Sequence, residues 1–288
     1  MNTKTLLVLP LLLTASLSYA VEIHGHRGAR AAMPENTLAA FSYALDAGVD
    51  VLEMDMQVTK DNKIVISHEP RIAPEICLGP NGETIKEPPV IHELTLEQVK
   101  KYDCGTLQNP KFKTQTPVKG EKIPTLDEVF ELVEKSTAPA AKNVRFNIET
   151  KIYPFYPQLS PAPEDFVKLA AEVINRHNMS GRVIIQSFDD RTLQFVRKYM
   201  PLARTAMLVS DNHLPLVSIA KALMVDIISP DYMWILPEDV EALHDIGVQV
   251  VPWTVDTPAD WDRMLALGVD GIISDDPQGL IKYLSDKK

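Results

Sequence analysis

The sequence predicts an α/β fold, a (β/α)8 TIM barrel with an insertion after an early β-hairpin. Three observations carry this expectation. Eight short apolar runs, each followed sooner or later by an amphipathic stretch, succeed one another after residue 20, the rhythm of a closed parallel sheet. One extra run, Lys63–Ser67, follows the second strand through the turn-like Lys60-Asp61-Asn62 and reads as the return arm of a hairpin. Charged residues gather where the early strands end, and in such a barrel those ends share one mouth. The alternative, a doubly wound open sheet, usually carries a Gly-rich phosphate loop after its first strand, and Gly25-His26-Arg27-Gly28 is not one.

Residues 1–20 are read as a signal peptide outside the fold. Lys4 precedes the apolar run Leu6–Leu13, and Ser18-Tyr19-Ala20 supplies small residues before a cleavage point. The run is shorter than the roughly 20 residues that span a bilayer, and no cysteine follows Ala20, which argues against a membrane anchor and a lipoprotein. The expected product is exported, periplasmic or secreted, with a barrel domain over 21–288.

The first strand spans Val21–His26. Its helix, Thr37–Ala47, sets Leu38, Phe41, Ala44 and Leu45 on one face and stops at Gly48. The second strand is Val51–Gln57, which the hairpin arm follows. Next comes an excursion over the mouth, about 69–124, rich in proline and glycine and holding one modest helix, Leu94–Tyr102. So long a connection carries functional weight. It contains both cysteines, Cys77 and Cys104; a disulfide and two separate thiols are both open readings. The remaining strands are Arg145–Thr150, Arg182–Ser187, Arg204–Val209, Asp226–Ser229, Gln249–Thr254 and Gly271–Ser274. The remaining helices are Leu126–Lys135, Pro163–Arg176, Arg191–Tyr199, Leu216–Met224, Pro237–Ile246, Pro258–Leu267 and Gln278–Leu284.

The net charge is −10, and falls to −11 once a leader with one lysine and no acid is removed. A chain this acidic is a poor general binder of nucleic acid or anionic membrane. A phosphate-bearing substrate would need local positive charge, which draws attention to Arg27 and to a metal.

Glu53 and Asp55 leave the same face of the second strand, and two adjacent carboxylates repel unless a cation lies between them. With Glu149 near the end of the third strand they make a hard oxygen site suited to one divalent cation, Ca²⁺ or Mg²⁺. Two histidines, His26 and His68, and one arginine, Arg27, complete what phosphate ester cleavage needs. Gly28 would let the backbone approach a phosphate closely. His24, one layer deeper, reads as structural. Asn36 reads as the cap of the first helix, with Pro34 setting its approach; Glu35 turns back to orient Arg27 or a metal-bound water, or serves the same turn. Trp253 stacks on substrate or simply packs, and Asp275 and Asp276 read equally well as loop acids.

At these residues the chain resembles the glycerophosphodiester phosphodiesterase family. The similarity runs over nearly all of 21–288 and is strongest at Gly25-His26-Arg27-Gly28-Ala29-Arg30, Pro34-Glu35-Asn36-Thr37-Leu38, Glu53-Met54-Asp55, Asn147-Ile148-Glu149-Thr150-Lys151, Gln186-Ser187-Phe188-Asp189, Trp253-Thr254-Val255-Asp256 and Gly268-Val269-Asp270-Gly271-Ile272-Ile273-Ser274-Asp275. The resemblance implies a (β/α)8 barrel with an insertion after the hairpin. It implies metal ligation by Glu53, Asp55 and Glu149, acid and base roles for His26 and His68, and phosphate contacts from Arg27 and Lys151. The chain departs from the family at Glu69, where aspartate usually follows the second histidine. The expected partner is a small glycerophosphodiester, cleaved to an alcohol and glycerol 3-phosphate. The alternatives are a lysophospholipase D acting on monoacylated diesters and a periplasmic or surface binding protein without turnover.

Overall fold

The computed structural model describes residues 21–211 and 213–287, so the leader expected over 1–20 lies outside the described residues. Among the described residues nine strands are present: β1 (Glu22–Gly25), β2 (Val51–Val58), β3 (Ile64–Ile66), β4 (Arg145–Thr150), β5 (Val183–Ser187), β6 (Arg204–Val209), β7 (Ile227–Pro230), β8 (Gln249–Val250) and β9 (Gly271–Ser274). The helices are α1 (Leu38–Ala47), α2 (Leu96–Val99), α3 (Leu126–Lys135), α4 (Pro163–Arg176), α5 (Asp190–Tyr199), α6 (Leu216–Leu223), α7 (Pro237–His244), α8 (Pro258–Leu267) and α9 (Pro277–Asp286).

Eight strands run parallel in the order β8-β7-β6-β5-β4-β2-β1-β9. The seam closes through backbone bonds from Asp270 to Val250 (2.9 Å), Ile273 to Pro252 (3.0 Å) and Val255 to Ile273 (3.0 Å). The expected barrel is therefore present. β3 pairs antiparallel with β2, Met56 opposite Ile66 and Val58 opposite Ile64, which is the expected hairpin.

Period-two alternation sorts the strands into two faces. On β2, Leu52, Met54, Met56 and Val58 join the core between sheet and helices, beside Phe41, Phe130, Phe146 and Phe166. The intervening Glu53, Asp55 and Gln57 are also buried, because the barrel interior is itself filled. Part of that interior is an apolar plug of Ile184, Ala206, Ile227, Val251 and Ile273. The part beneath β1, β2, β4 and β5 is polar, built from His24, Glu53, Asn147 and Gln186.

Three elements differ from expectation. Regular pairing of β8 stops at Val250, since Pro252 has no N–H to offer a ladder; Trp253 N nevertheless donates to Pro230 O at 3.0 Å and keeps the segment in place. The helix expected over Leu94–Tyr102 is only α2, because Leu94 is extended and Thr95 caps the helix in a box with Gln98. Asn36 does not cap α1. Thr37 does, its Oγ1 accepting from Ala40 N at 3.2 Å.

The excursion is compact. Val65 of β3, Ile72, Cys77, Ile91, Val99, Cys104 and Ile123 form a small core of their own, and Cys77 and Cys104 are joined, S–S 2.08 Å. The excursion is fastened to the loop after β1 by Gln115 Nε2 donating to Arg30 O (2.7 Å) and Met33 O (3.0 Å), and by Thr116 N donating to Ala32 O (2.8 Å). The crosslink spans 27 residues, a loop whose closure in the unfolded chain corresponds to about 3–4 kcal/mol. The Cys77→Ala/Cys104→Ala double variant is expected to lose about that much in urea unfolding; an unchanged midpoint would show that the crosslink contributes nothing.

Candidate active site

The loop after β1 is shaped by close packing. A Cβ at Gly25 would lie 2.2 Å from Gly28 O, and one at Gly28 (φ +86°) would lie 2.7 Å from the Ala40 backbone. Gly28 is therefore required by contact with α1 whether or not a phosphate approaches it. The tight turn places Arg27 at φ 50°, where its backbone N–H donates to Glu53 Oε2 at 2.8 Å. Its guanidinium lies between Glu35 (Nη1 to Oε1, 2.6 Å) and Asp55 (Nε to Oδ2, 3.4 Å). Glu35 thus does orient Arg27, and Asn109 of the excursion donates to its other oxygen at 3.2 Å. Asn36, freed from capping, donates to Asp55 Oδ2 at 2.9 Å.

Glu53, Asp55 and Glu149 are buried and converge, each offering one oxygen within 4.8 Å of the others. Strand register explains the meeting, since Asp55 is paired with Glu149 across β2 and β4. Gln186 of β5 donates to Glu53 Oε1 at 2.8 Å, and Asn147 in turn donates to Gln186 Oε1 at 3.0 Å. Lys151, expected as a phosphate contact, holds its ammonium 2.9 Å from Glu149 Oε1 and 3.2 Å from Asp55 Oδ1. Burial and the Asp55 charge push the Glu53 carboxyl well above its usual range. Burial, aided by Asp55 and opposed by Lys151, carries Glu149 up to about 7. For Asp55 burial acts the same way, but Lys151, His68, Arg27 and Asn36 outweigh it and hold the group well below the carboxylate range. Three buried oxygen donors, two of them resisting charge, are a set that a hard divalent cation fits.

His26 reaches this cluster from the loop after β1 and His68 from the end of the hairpin arm β3. His26 Nδ1 lies 2.5 Å from Asp275 Oδ1, and its Nε2 lies 3.9 Å from Glu53 Oε2. Burial pushes the imidazole down to about 4 against the pull of Asp275. His68 arrives on the hairpin, where Ser67 N donates to Asp55 O at 2.9 Å. Its Nδ1 lies 2.7 Å from Glu69 Oε1, so the glutamate at the departed position still reaches the ring. His24 is fully buried, with Nδ1 3.5 Å from Asn147 Nδ2, in the deeper place expected for it.

A cavity of about 330 Å³ is lined by His26, Arg27, Glu53, Asp55, His68, Glu149, Lys151 and Trp253 together. Trp253 both packs and lines: its Nε1 donates to Ser229 O at 2.8 Å and its ring meets Phe188 edge-on at 5.7 Å. In sequence Asp275 closes the last strand and could also be an ordinary loop acid, and Gln186, Arg30 and Phe188 carry no role beyond their place in the motifs. Asp275 and Gln186 stand at strand ends within the quoted motifs, the one sequence signal from which a role could be suspected. In chemical terms the cavity offers two imidazoles for proton transfer, two cationic side chains for an anion, and a hard-cation site.

A family model described as the glycerophosphoryl diester phosphodiesterase family matches residues 26–279. The chain is 37% identical over 260 residues to the glycerophosphodiester phosphodiesterase of Caldanaerobacter subterraneus subsp. tengcongensis, covering 90% of this chain and 96% of that one. It is 29% identical to the glycerophosphodiester phosphodiesterase of Bacillus subtilis, covering 88% and 82%. Among solved structures, a candidate glycerophosphoryl diester phosphodiesterase of Silicibacter pomeroyi DSS-3 is similar with a TM-score of 0.86 and 29% identity, covering 93% and 94%.

Proposed function

Because the chain belongs to the glycerophosphoryl diester phosphodiesterase family, we propose that it hydrolyses glycerophosphodiesters to an alcohol and glycerol 3-phosphate. His26 and His68 act as acid and base, beside one divalent cation, Ca²⁺ or Mg²⁺, held by Glu53, Asp55 and Glu149. The observation that carries the reading is the convergence of these five side chains, from three strand ends and a hairpin, on one cavity.

When bound, the cation supplies charge neutralisation at a phosphoryl oxygen and acidifies the nucleophile. One histidine takes the proton of the nucleophile, water or the glycerol 2-hydroxyl, and the other donates to the leaving alcohol. The Arg27 guanidinium, fixed between Glu35 and Asp55, offers charge to the phosphoryl oxygens, and Lys151 does so from the carboxylate side. Trp253 and Phe188 give the cavity an apolar wall against which the glycerol carbons rest.

Export belongs to the same proposal. Beyond the leader, it is supported by the Cys77–Cys104 disulfide, a bond that persists in oxidising compartments. No described helix is long and apolar enough to cross a membrane.

A second reading is favoured by one surface. The loops after β4, β5, β6 and β7 expose Phe155, Tyr156, Phe188, Leu214, Trp234 and Leu236. In a barrel these loops border the mouth, so this side offers an acyl chain the apolar contact that the polar excursion does not. Lysophospholipase D activity on monoacylated diesters would use it.

One assay tests both readings: glycerol 3-phosphate or its monoacylated form released from glycerophosphocholine and from lysophosphatidylcholine, with Ca²⁺ or Mg²⁺. Release from glycerophosphocholine is expected. Turnover of the acylated diester alone would transfer the assignment to the second reading, and no turnover of either, with binding retained, would leave a binding protein.

A further inference from the structure

Asp275 follows β9, 249 residues from His26, yet the two meet because β1 and β9 pair with Gly25 opposite Ser274. Asp275 is only 5% exposed. Its position is fixed from both ends: its backbone N–H donates to Asp256 Oδ1 at 2.7 Å, and its Oδ1 accepts from Arg30 Nε at 2.6 Å while lying 2.5 Å from His26 Nδ1. Arg30 is anchored in turn by the excursion. Its guanidinium lies 5.2 Å from the Phe112 ring centroid, and its carbonyl accepts from Gln115 Nε2 at 2.7 Å.

An ionised carboxylate only accepts hydrogen bonds, so the ring nitrogen facing it must carry the proton. We propose that Asp275 is a positioning residue for His26. It holds the neutral ring with hydrogen on Nδ1 and a free lone pair on Nε2, the nitrogen on the Glu53 side, and Arg30, itself anchored by the excursion, locks it in place. A proton taken by Nε2 then leaves an imidazolium already paired with a fixed anion. The arrangement gives the excursion a role besides covering the mouth: through Phe112, Gln115 and Arg30 it sets the orientation of the histidine.

The inference rests on the hydrolase reading of His26, and its test separates the two. ¹⁵N spectra of the wild-type protein near neutral pH, with the His26 signals assigned by their loss in His26→Gln, are expected to show Nδ1 protonated and Nε2 bare. The opposite tautomer would overturn the proposal, and this measurement needs no variant of Asp275 to fold. In Asp275→Asn, whose amide can donate to Nδ1, the His26 tautomer is expected to shift. Its kcat is expected to fall by about 10²-fold or more while KM stays within about threefold. An unchanged kcat, or a loss of kcat with His26 signals as in the wild type, would overturn the positioning role. A wild-type protein with the expected tautomer and no turnover would instead overturn the hydrolase reading.

Discussion

Replacing either His26 or His68 with alanine is expected to lower kcat by about 10²-fold or more, the usual contribution of a positioned acid or base. Both rings line one cavity, and each has a carboxylate at Nδ1, Asp275 for one and Glu69 for the other. Only Nε2 of each ring is then free for transfer. The nucleophile and the leaving alcohol lie on opposite sides of a reacting phosphorus, so one histidine cannot serve both. For that reason neither variant should be rescued by the other histidine. The double variant should be little slower than the worse single one, because the two act in one step. Steady-state kinetics on glycerophosphocholine measures this, with circular dichroism confirming that each variant is folded. Turnover retained in both single variants would end the assignment.

The barrel was legible because its signal is repeated. Each strand and helix is marked by its own periodicity, and an error in one, such as the early end of β8 at Val250, leaves the rest intact. The meeting of the three acids was legible for a local reason: Glu53 and Asp55 share a face by spacing alone, and Glu149 sits at the equivalent level of the next barrel strand. What escaped depends on closure and on packing between distant segments. Asp275 acquires its partner only when β9 meets β1, and no local pattern separates it from Asp276. A glycine beside an arginine looks the same in sequence whether a ligand or Ala40 lies against it, so the packing of Gly28 on α1 is not legible there. Asn36 and Thr37 are both good caps, and the choice was decided by Asp55, which takes the Asn36 amide. The small core of the excursion is not legible in sequence because its apolar residues are scattered from Ile72 to Ile123, with no period to join them before the chain folds.

The second large effect concerns the carboxylates. Glu53→Gln, Asp55→Asn and Glu149→Gln are each expected to lower kcat/KM by about 10²-fold or more through loss of a charged oxygen ligand. A chelator should abolish wild-type turnover reversibly. Glu149→Gln and Asp55→Asn should differ in stability when no cation is bound. The folded pKa of Glu149 is raised from 4.5 to about 7, so the native state prefers its neutral form. The metal-free wild type therefore loses stability from this group as pH rises from about 4.5 through 7, and stays lower above that. Glu149→Gln removes that loss, and its Tm in chelator at pH 8 should equal or exceed that of the wild type. Asp55→Asn should go the other way, because its neighbours together hold the Asp55 carboxyl well below the usual range and its loss leaves the buried Arg27 guanidinium less fully paired. Thermal unfolding in chelator across pH 4 to 8 distinguishes the two patterns. A Glu149→Gln variant less stable than the wild type at pH 8, or one with full activity, would contradict the account.

The central claim is that one divalent cation lies between β2 and β4, within the cavity that holds both histidines. Anomalous diffraction from a crystal grown with Ca²⁺ tests it most directly. The account predicts a single strong peak about 2.3–2.6 Å from oxygens of Glu53, Asp55 and Glu149, with His26 and His68 facing the same space. No peak there, or a peak held by other residues while Lys151 keeps its place between Asp55 and Glu149, would contradict it.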